Sequence, residues 1–131
     1  FKRRFDEDDQ PRTTQRSFMK IFFTEYFKKQ LEKLRKKYPK ISHDLLDVID
    51  PFDPDIAISI GKRIYKIRVP SKDIKKGKSG GFRSYIYFYR ENEFIAPIYI
   101  YPKSKTESIT ENELKFHFDR TMVELIAAQL L

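Results

Sequence analysis

Two stretches in the middle of the chain alternate in character from one side chain to the next. In IYKIRV, at residues 64–69, the cations Lys66 and Arg68 share one side, and the other side is apolar. Successive side chains of a strand point to opposite faces of its sheet. The alternation therefore predicts a strand with one buried face and one cationic face, because its period is two and not the helical 3.6.

The next stretch, FRSYIYFY at residues 82–89, divides in the same way. One side carries three apolar residues and a serine, and the other carries Arg83 and three tyrosines. The RENE sequence after it is a tight-turn candidate, and FIAPIYIY at residues 94–101 is the returning strand. Pro97 within that strand cannot donate a ladder hydrogen bond, which favours an edge position or a bulge.

The first half of the chain has mainly helical periodicity. A short apolar strand candidate, MKIFF, follows residue 18. Thr24 is predicted to cap a helix whose apolar residues recur every three or four positions until Pro39 stops it. Ser42 is predicted to cap a second helix, which prolines end near residue 51. Two helices joined by about four residues should form an antiparallel hairpin.

A last helix is predicted after the strands. Thr110 and Glu113 have the spacing of a capping box, and the helix should continue to about residue 129. Its final sequence, VELIAAQLL, is apolar almost all round. A helix end of that kind is expected either to pack on the core or to contact another chain.

The predicted order is strand, two helices, three or four antiparallel strands and a helix. This order indicates an α+β fold, with the helices packed on one face of a small sheet. The length of 131 residues suits one domain. Residues 1–18 are polar and aperiodic, which predicts a mobile tail before a single domain at residues 19–131.

Positive charge is concentrated in one segment of the chain. The net charge is +8, and residues 62–83 alone carry nine basic residues and one acidic residue. Such a concentration favours a polyanionic partner, most often a nucleic acid. There is no cysteine, no secretory signal and no apolar run long enough to span a bilayer. We therefore expect a cytoplasmic protein with no membrane association.

The residues that could carry chemistry are mainly basic and aromatic. The two histidines, His43 and His117, are far apart, and neither a catalytic triad nor a metal-binding cluster is visible. We expect no metal and no cofactor. Lys66, Arg68 and Arg83 should lie together if their strands pair, with tyrosines beside them. Cations for phosphates and aromatic rings for bases suit single-stranded RNA, although an ordinary solvated face alternates in the same way.

Several motifs together resemble one protein family. These are GKRIYKIRV, then KGKSGGFRSYIYFY, then IYIYPKSKTESITENEL, in that order. They resemble the RelE/ParE superfamily of toxins from bacterial type II toxin–antitoxin systems, and most of all its HigB-like branch. The resemblance implies a helical hairpin packed on a small curled antiparallel sheet, plus a C-terminal helix. It also implies a cognate antitoxin as a protein partner.

The resemblance implies a ribosome-dependent mRNA endonuclease, that is, an mRNA interferase that inhibits translation. The partners would be mRNA and ribosomal RNA. The RNA 2′-hydroxyl would be the nucleophile, so no metal would be required, and crowding by other cations would favour Lys66 as the base. The residues that correspond to the family's catalytic positions are Lys66, Arg68, Arg83, Lys103 and Lys105. The residues expected to bind nucleic acid are Lys72, Lys75, Lys76, Lys78, Tyr85 and Tyr101.

Two other functions are compatible with the same sequence. A ParE-like inhibitor of DNA gyrase would share the fold without an RNA-cleaving site, and an inactive RNA-binding regulator would keep only the basic face. The clustered cations favour the nuclease. The acid that protonates the leaving group has no clear counterpart, because PKSKTESIT lacks the tyrosine that some relatives carry there. Tyr101 is the nearest candidate.

Overall fold

The computed structural model describes residues 20–74, 80–106 and 108–131. Three helices and a five-stranded sheet make up this part of the chain, which confirms the predicted α+β class. The predicted tail at residues 1–18 lies outside the described residues, as do Lys75, Lys76 and Lys78 of the lysine-rich stretch at residues 70–80, which is called the basic loop below. The elements are β1 (Lys20–Ile21), α1 (Glu25–Arg35), α2 (Ile41–Ile49), β2 (Ile58–Gly61), β3 (Ile64–Val69), β4 (Phe82–Tyr89), β5 (Phe94–Pro102) and α3 (Glu111–Ala127).

The first two helices form the predicted hairpin, but their caps differ. Thr24 caps α1 as expected, since its Oγ1 accepts from the Phe27 amide at 3.0 Å. The prediction that Ser42 caps α2 is wrong, because the N-cap residue of α2 is Lys40. The Lys40 amide donates instead to Asp73 Oδ2 at 2.8 Å. A carboxylate from the loop after β3 thus replaces the local serine at this helix start.

The sheet has the strand order β1-β5-β4-β3-β2. The pairs β2–β3, β3–β4 and β4–β5 are antiparallel, whereas β1 runs parallel to β5. A register shift lies where Tyr85 faces Tyr99 and Ile86 faces Pro97, so one residue of β5 is inserted beside the proline. This bulge confirms the expectation from Pro97, and it allows the proline inside an interior strand.

The two faces of the sheet are covered by different helices. Side chains of α1 and α2 join a core with Ile67, Ile86 and Ile95 on one face. The opposite face forms a second core with Leu125 of α3, which includes Tyr85 and other residues of β4 and β5. The prediction that all helices pack on one face is therefore wrong. The reason is that the tyrosine-rich face is too apolar to be left to solvent.

The last helix has the predicted capping box. Thr110 Oγ1 accepts from the Glu113 amide, and the Glu113 carboxylate accepts from the Thr110 amide. Leu125 is fully buried, so one side of the apolar helix end packs on the core as expected. Val123 and Ile126 on its other side remain exposed. Within the described residues, α3 and the other helices are each too short or too polar to cross a membrane.

Candidate functional site

The pairing of β3, β4 and β5 gathers the predicted cations on one face of the sheet. Arg68 lies directly opposite Arg83, and Arg83 lies opposite Tyr101 on the next strand. One step along the same face, Lys66 lies opposite Tyr85. Directly opposed residues of antiparallel strands project to the same side, with Cβ atoms about 5 Å apart. The structure thus brings Lys66, Arg68 and Arg83 together as the alternation predicted.

The three cations differ strongly in exposure. Arg68 is exposed and Lys66 is half-buried, whereas Arg83 is only 5% exposed. The Arg83 guanidinium donates to the Phe82 carbonyl oxygen at 3.3 Å. A buried guanidinium is a fixed positive charge below the surface. Arg68 and Lys66 are therefore the members of this cluster that reach solvent, and Arg83 lies beneath the surface.

The lysine of this cluster is held by the segment that leads into α3. Lys66 Nζ donates to Ser108 Oγ at 3.1 Å, and it lies 5.8 Å from the centroid of the Tyr85 ring. Ser108 was missed by sequence reasoning, since it is 42 positions from Lys66 and carries no motif of its own. The contact fixes the position of the Lys66 amine beside the aromatic ring.

The predicted base-stacking tyrosines pack against each other in the second core. The rings of Tyr85 and Tyr101 stack with centroids 6.3 Å apart, and those of Tyr99 and Tyr101 stack at 5.4 Å. Tyr101 is only 1% exposed. Burial raises the pKa of Tyr101 well above its usual value, and the neighbouring Tyr85 raises it further, while Arg83 opposes the shift. The phenol therefore keeps its proton at neutral pH.

Two further lysines lie at the end of the cationic face where β5 ends. The Lys103 amide donates to the Gly81 carbonyl oxygen at 2.9 Å, which extends the β4–β5 ladder by one bond. The Lys105 amide donates to the Pro102 carbonyl oxygen in the turn that follows. Lys103 is half-buried and Lys105 is exposed. Both lie after the strand partner of Arg83, as the sequence order predicted.

Gly81 has a specific reason to be glycine at the start of this face. Its φ is +81°, and an added Cβ would lie 2.2 Å from the Val69 carbonyl oxygen. The backbone of the loop exit thus passes too close to β3 for any side chain. This close approach fixes where Arg83 enters the sheet.

The first lysine of the basic loop is engaged by carboxylates of α2. The Lys72 amide donates to Asp44 at 3.0 Å, and Lys72 Nζ contacts Asp44 at 3.4 Å and Asp47 at 3.1 Å. The hydrogen bonds to Asp47 and Asp44 raise the pKa of Lys72. Lys72 therefore anchors the loop to α2, and part of its charge is already compensated. The assignment of Lys72 to nucleic-acid binding stays a prediction.

The remaining candidate sites in the described part of the chain are less informative. Among those residues, no group of three or more His, Asp or Glu side chains is placed to hold a metal ion. A cavity of about 200 Å³ lies in the helical hairpin, away from the cationic face. Its lining residues are Phe23, Lys28, Leu31, Ser42, Leu45 and Leu46.

One comparison with known proteins, the family model, matches most of the chain. A family model described as the RelE toxin of the RelE / RelB toxin-antitoxin system matches residues 19–129. Among solved structures, a mutant of the E. coli toxin RelE in the free state is similar, with 15% identity and a TM-score of 0.48 over 83% of this chain and 99% of that chain. No curated protein matches the chain. The HigB-like branch stays a prediction.

A family model that covers most of the chain decides the membership. The matched region contains every described helix and strand of the structure. The chain belongs to the RelE toxin family, so it is the toxin of a toxin–antitoxin system and an antitoxin is its protein partner.

Proposed function

We propose that this toxin is a ribosome-dependent mRNA endonuclease that acts without a metal ion. One observation carries the proposal, namely the strand register that sets Arg68 opposite Arg83 with Lys66 two residues further along the same face. Three cations on adjacent positions of a rigid sheet suit the single charge centre of a scissile phosphate. Because the sheet fixes their backbones, little reorganisation is needed when charge develops.

The proposed reaction uses a nucleophile that RNA itself supplies. The 2′-oxygen attacks the adjacent phosphorus, and the bond from phosphorus to the 5′-oxygen breaks. A base takes the proton of the 2′-hydroxyl, and an acid gives a proton to the departing 5′-oxygen. The products are a 2′,3′-cyclic phosphate and a free 5′-hydroxyl. Negative charge increases on the phosphoryl oxygens in the transition state, so fixed cations stabilise it more than the ground state.

The structure suggests distinct roles for the clustered residues. Arg68 is exposed and would contact the phosphate directly, while buried Arg83 would supply positive charge from behind it. Lys66 is the candidate base, with its amine held near Ser108. Lys103 and Lys105 would bind the flanking backbone. Tyr101 carries a proton at neutral pH, but its burial leaves the acid unassigned.

Dependence on the ribosome would follow from the basic surface outside this cluster. The exposed face of α1 carries basic residues at positions 28, 29, 33 and 35, and the loop after β3 adds more. Such charge binds phosphate backbones without reading sequence. Ribosomal RNA would then position the toxin on translated mRNA, which also requires action in the cytoplasm.

Mapping of transcript 5′ ends after induced expression tests this proposal. We expect new ends with free 5′-hydroxyls, confined to translated reading frames. Lys66→Ala and Arg68→Ala should each reduce cleavage by about 10²–10³-fold, as expected for the loss of one transition-state contact. Lys115→Ala is the matched control, because Lys115 is an exposed lysine on α3 that pairs with Asp119. Its activity should be unchanged.

Other outcomes would identify a different activity. Growth arrest that survives both substitutions would show that phosphate chemistry on this face is not its cause. Inhibition of gyrase supercoiling by the purified toxin, without RNA cleavage, would support the ParE-like function. Binding to ribosomes without new transcript ends would indicate an inactive RNA-binding regulator.

A further inference from the structure

The candidate base of the proposed reaction is a side chain whose position depends on its surroundings. Lysine carries its amine on a long and flexible stem, and Lys66 is only half-buried on β3. A general base must lie within hydrogen-bond reach of the proton that it takes. An amine that rotates freely spends little time in that position, so the groups that hold Lys66 influence the rate.

Two contacts from different parts of the chain restrict the Lys66 amine. The first is with Tyr85, which lies opposite Lys66 on β4 and is 4% exposed, with its ring centroid 5.8 Å from Nζ. The second is with Ser108, whose Oγ accepts from Nζ at 3.1 Å. The buried ring limits how closely the amine approaches the sheet, and the hydroxyl limits its direction, since a hydrogen bond prefers one line.

Ser108 is itself fixed by the residues on both sides of it. Its carbonyl oxygen accepts from Thr106 Oγ1 at 2.7 Å. The next residue, Ile109, packs against the second core, and Thr110 is the N-cap of α3. The side chain of Ser108 is exposed, but its backbone is anchored. Ser108 is therefore a stable point from which the Lys66 amine can be held.

We propose that Ser108 is a positioning residue that orients the Lys66 amine for proton transfer, an inference that rests on the proposed nuclease function. A neutral amine has two N–H groups and one lone pair. When Ser108 accepts from one N–H, the lone pair points away from Ser108 and stays available for the RNA 2′-hydroxyl. The serine oxygen still accepts after the amine has become an ammonium ion, so the orientation is kept throughout the transfer. In this role Ser108 acts through Lys66 and does not touch the reacting atoms.

Steady-state cleavage by the full chain on ribosomes programmed with a short mRNA tests the role. Ser108→Ala should lower kcat about tenfold, because the base is less often in position. KM should stay within about twofold, because the hydroxyl does not bind the RNA. Ser108→Thr keeps the hydroxyl and should restore at least about half of kcat. Ser104→Ala is the matched control, since Ser104 is an exposed serine of the same segment, and its kcat should be unchanged.

A double-mutant cycle separates action through Lys66 from a general structural effect. In a Lys66→Ala background, Ser108→Ala should cause no further loss of cleavage, because the group that it positions is gone. In an Arg68→Ala background, Ser108→Ala should still lower kcat about tenfold. Equal melting temperatures would confirm that each variant is folded.

The contact can also be measured without any RNA cleavage. Lysine amines of the folded toxin are acetylated briefly with an amine-reactive ester, and each site is quantified by peptide mass spectrometry. Ser108→Ala should speed acetylation of Lys66 about threefold or more, as expected for the loss of one hydrogen bond. Lys115, an exposed lysine that pairs with Asp119 on α3, is the internal control and should react at the same rate in both proteins.

The outcomes distinguish this inference from the proposed function. If Lys66→Ala abolishes cleavage but Ser108→Ala leaves kcat unchanged, the positioning role is wrong and the nuclease function stands. A loss that is equally large in the Lys66→Ala background, or that falls on KM alone, would also overturn the role. If the wild-type toxin cleaves no RNA, the proposed function and the positioning role are both wrong. Equal acetylation of Lys66 in the wild type and in Ser108→Ala would show that the hydroxyl does not hold the amine.

Discussion

At the scale of single residues, His117 illustrates how the inner side of α3 is fixed. Its ring stacks on Tyr99 with centroids 3.9 Å apart and planes 10° from parallel. Its Nδ1 forms a hydrogen bond with the Tyr26 hydroxyl of α1. Burial lowers the pKa of His117, although Glu113 on the same helix opposes the shift. His117 thus links α3 to both α1 and β5.

This environment predicts a stability that depends on pH. Because the pKa of His117 is lower in the folded chain than its usual value of 6.5, the unfolded chain binds the proton more readily. The contribution of His117 is therefore complete above about pH 6.5 and is lost as the pH falls through the folded-state pKa. We expect the melting temperature to decrease between about pH 7 and 5.

The substitution His117→Phe separates this effect from general acid denaturation. Phenylalanine keeps a ring for stacking on Tyr99 but does not titrate, so the slope of melting temperature against pH should flatten. At about pH 8 the variant should lose about 1 kcal/mol of unfolding free energy with the hydrogen bond to Tyr26. An unchanged slope would show that other groups cause the acid sensitivity.

At the scale of elements, α3 caps the beginning of α1. The Glu124 carboxylate accepts from the Glu25 amide at 2.8 Å and from the Tyr26 amide at 3.0 Å. The first amides of a helix have no partner within the helix, and a negative charge is favourable there. Thr24 satisfies the Phe27 amide, so Glu124 completes a cap that is shared between two distant parts of the chain.

This shared cap predicts a measurable loss of stability. Glu124→Ala should lower the free energy of unfolding in urea by about 1 kcal/mol, in the range of helix-cap substitutions. Asp119→Ala on the same helix removes an exposed ion pair with Lys115 and should cost no more than about 0.5 kcal/mol. Equal losses for the two variants would mean that the contact with α1 contributes nothing specific.

Local signals predicted most elements, whereas elements that depend on distant contacts were missed. The alternation at residues 64–69 and 82–89 predicted β3 and β4 with their observed bounds, since period two needs no tertiary information. The edge strand β2 was not predicted, because its exposed isoleucines have no buried face to mark it. Ser42 was preferred as a cap because its true counterpart, Asp73, lies 33 positions from Lys40.

For the candidate site too, the sequence predicted which residues share a face but not the contacts that they make in the folded chain. Strand alternation placed Lys66, Arg68 and Arg83 on one face, which the register confirms. The burial of Arg83 and Tyr101 was not predictable, because it depends on the second core that forms beneath α3. The pairing of Lys72 with Asp44 and Asp47 was not predicted either, because the basic loop and α2 come together only in the folded chain.

At the scale of the whole molecule, two hydrophobic cores lie on opposite faces of the sheet. The hairpin of α1 and α2 covers one face, and α3 covers part of the other. The cations lie on the second face, and Lys66 contacts Ser108, which precedes α3. A rigid, doubly supported sheet can hold like charges close together, because the surrounding packing offsets their repulsion.

The distribution of charge over the molecule predicts how the proposed binding to RNA responds to salt. The logarithm of the affinity for a single strand falls with the logarithm of salt concentration by about 0.7 for each phosphate contact. Arg68 is exposed on the cationic face, whereas Lys72 is already paired with Asp44 and Asp47. Arg68→Ala should therefore reduce the slope by about 0.7, and Lys72→Ala should reduce it clearly less. Fluorescence anisotropy with a labelled single-stranded RNA measures both slopes, and equal reductions would contradict the roles assigned to the two residues.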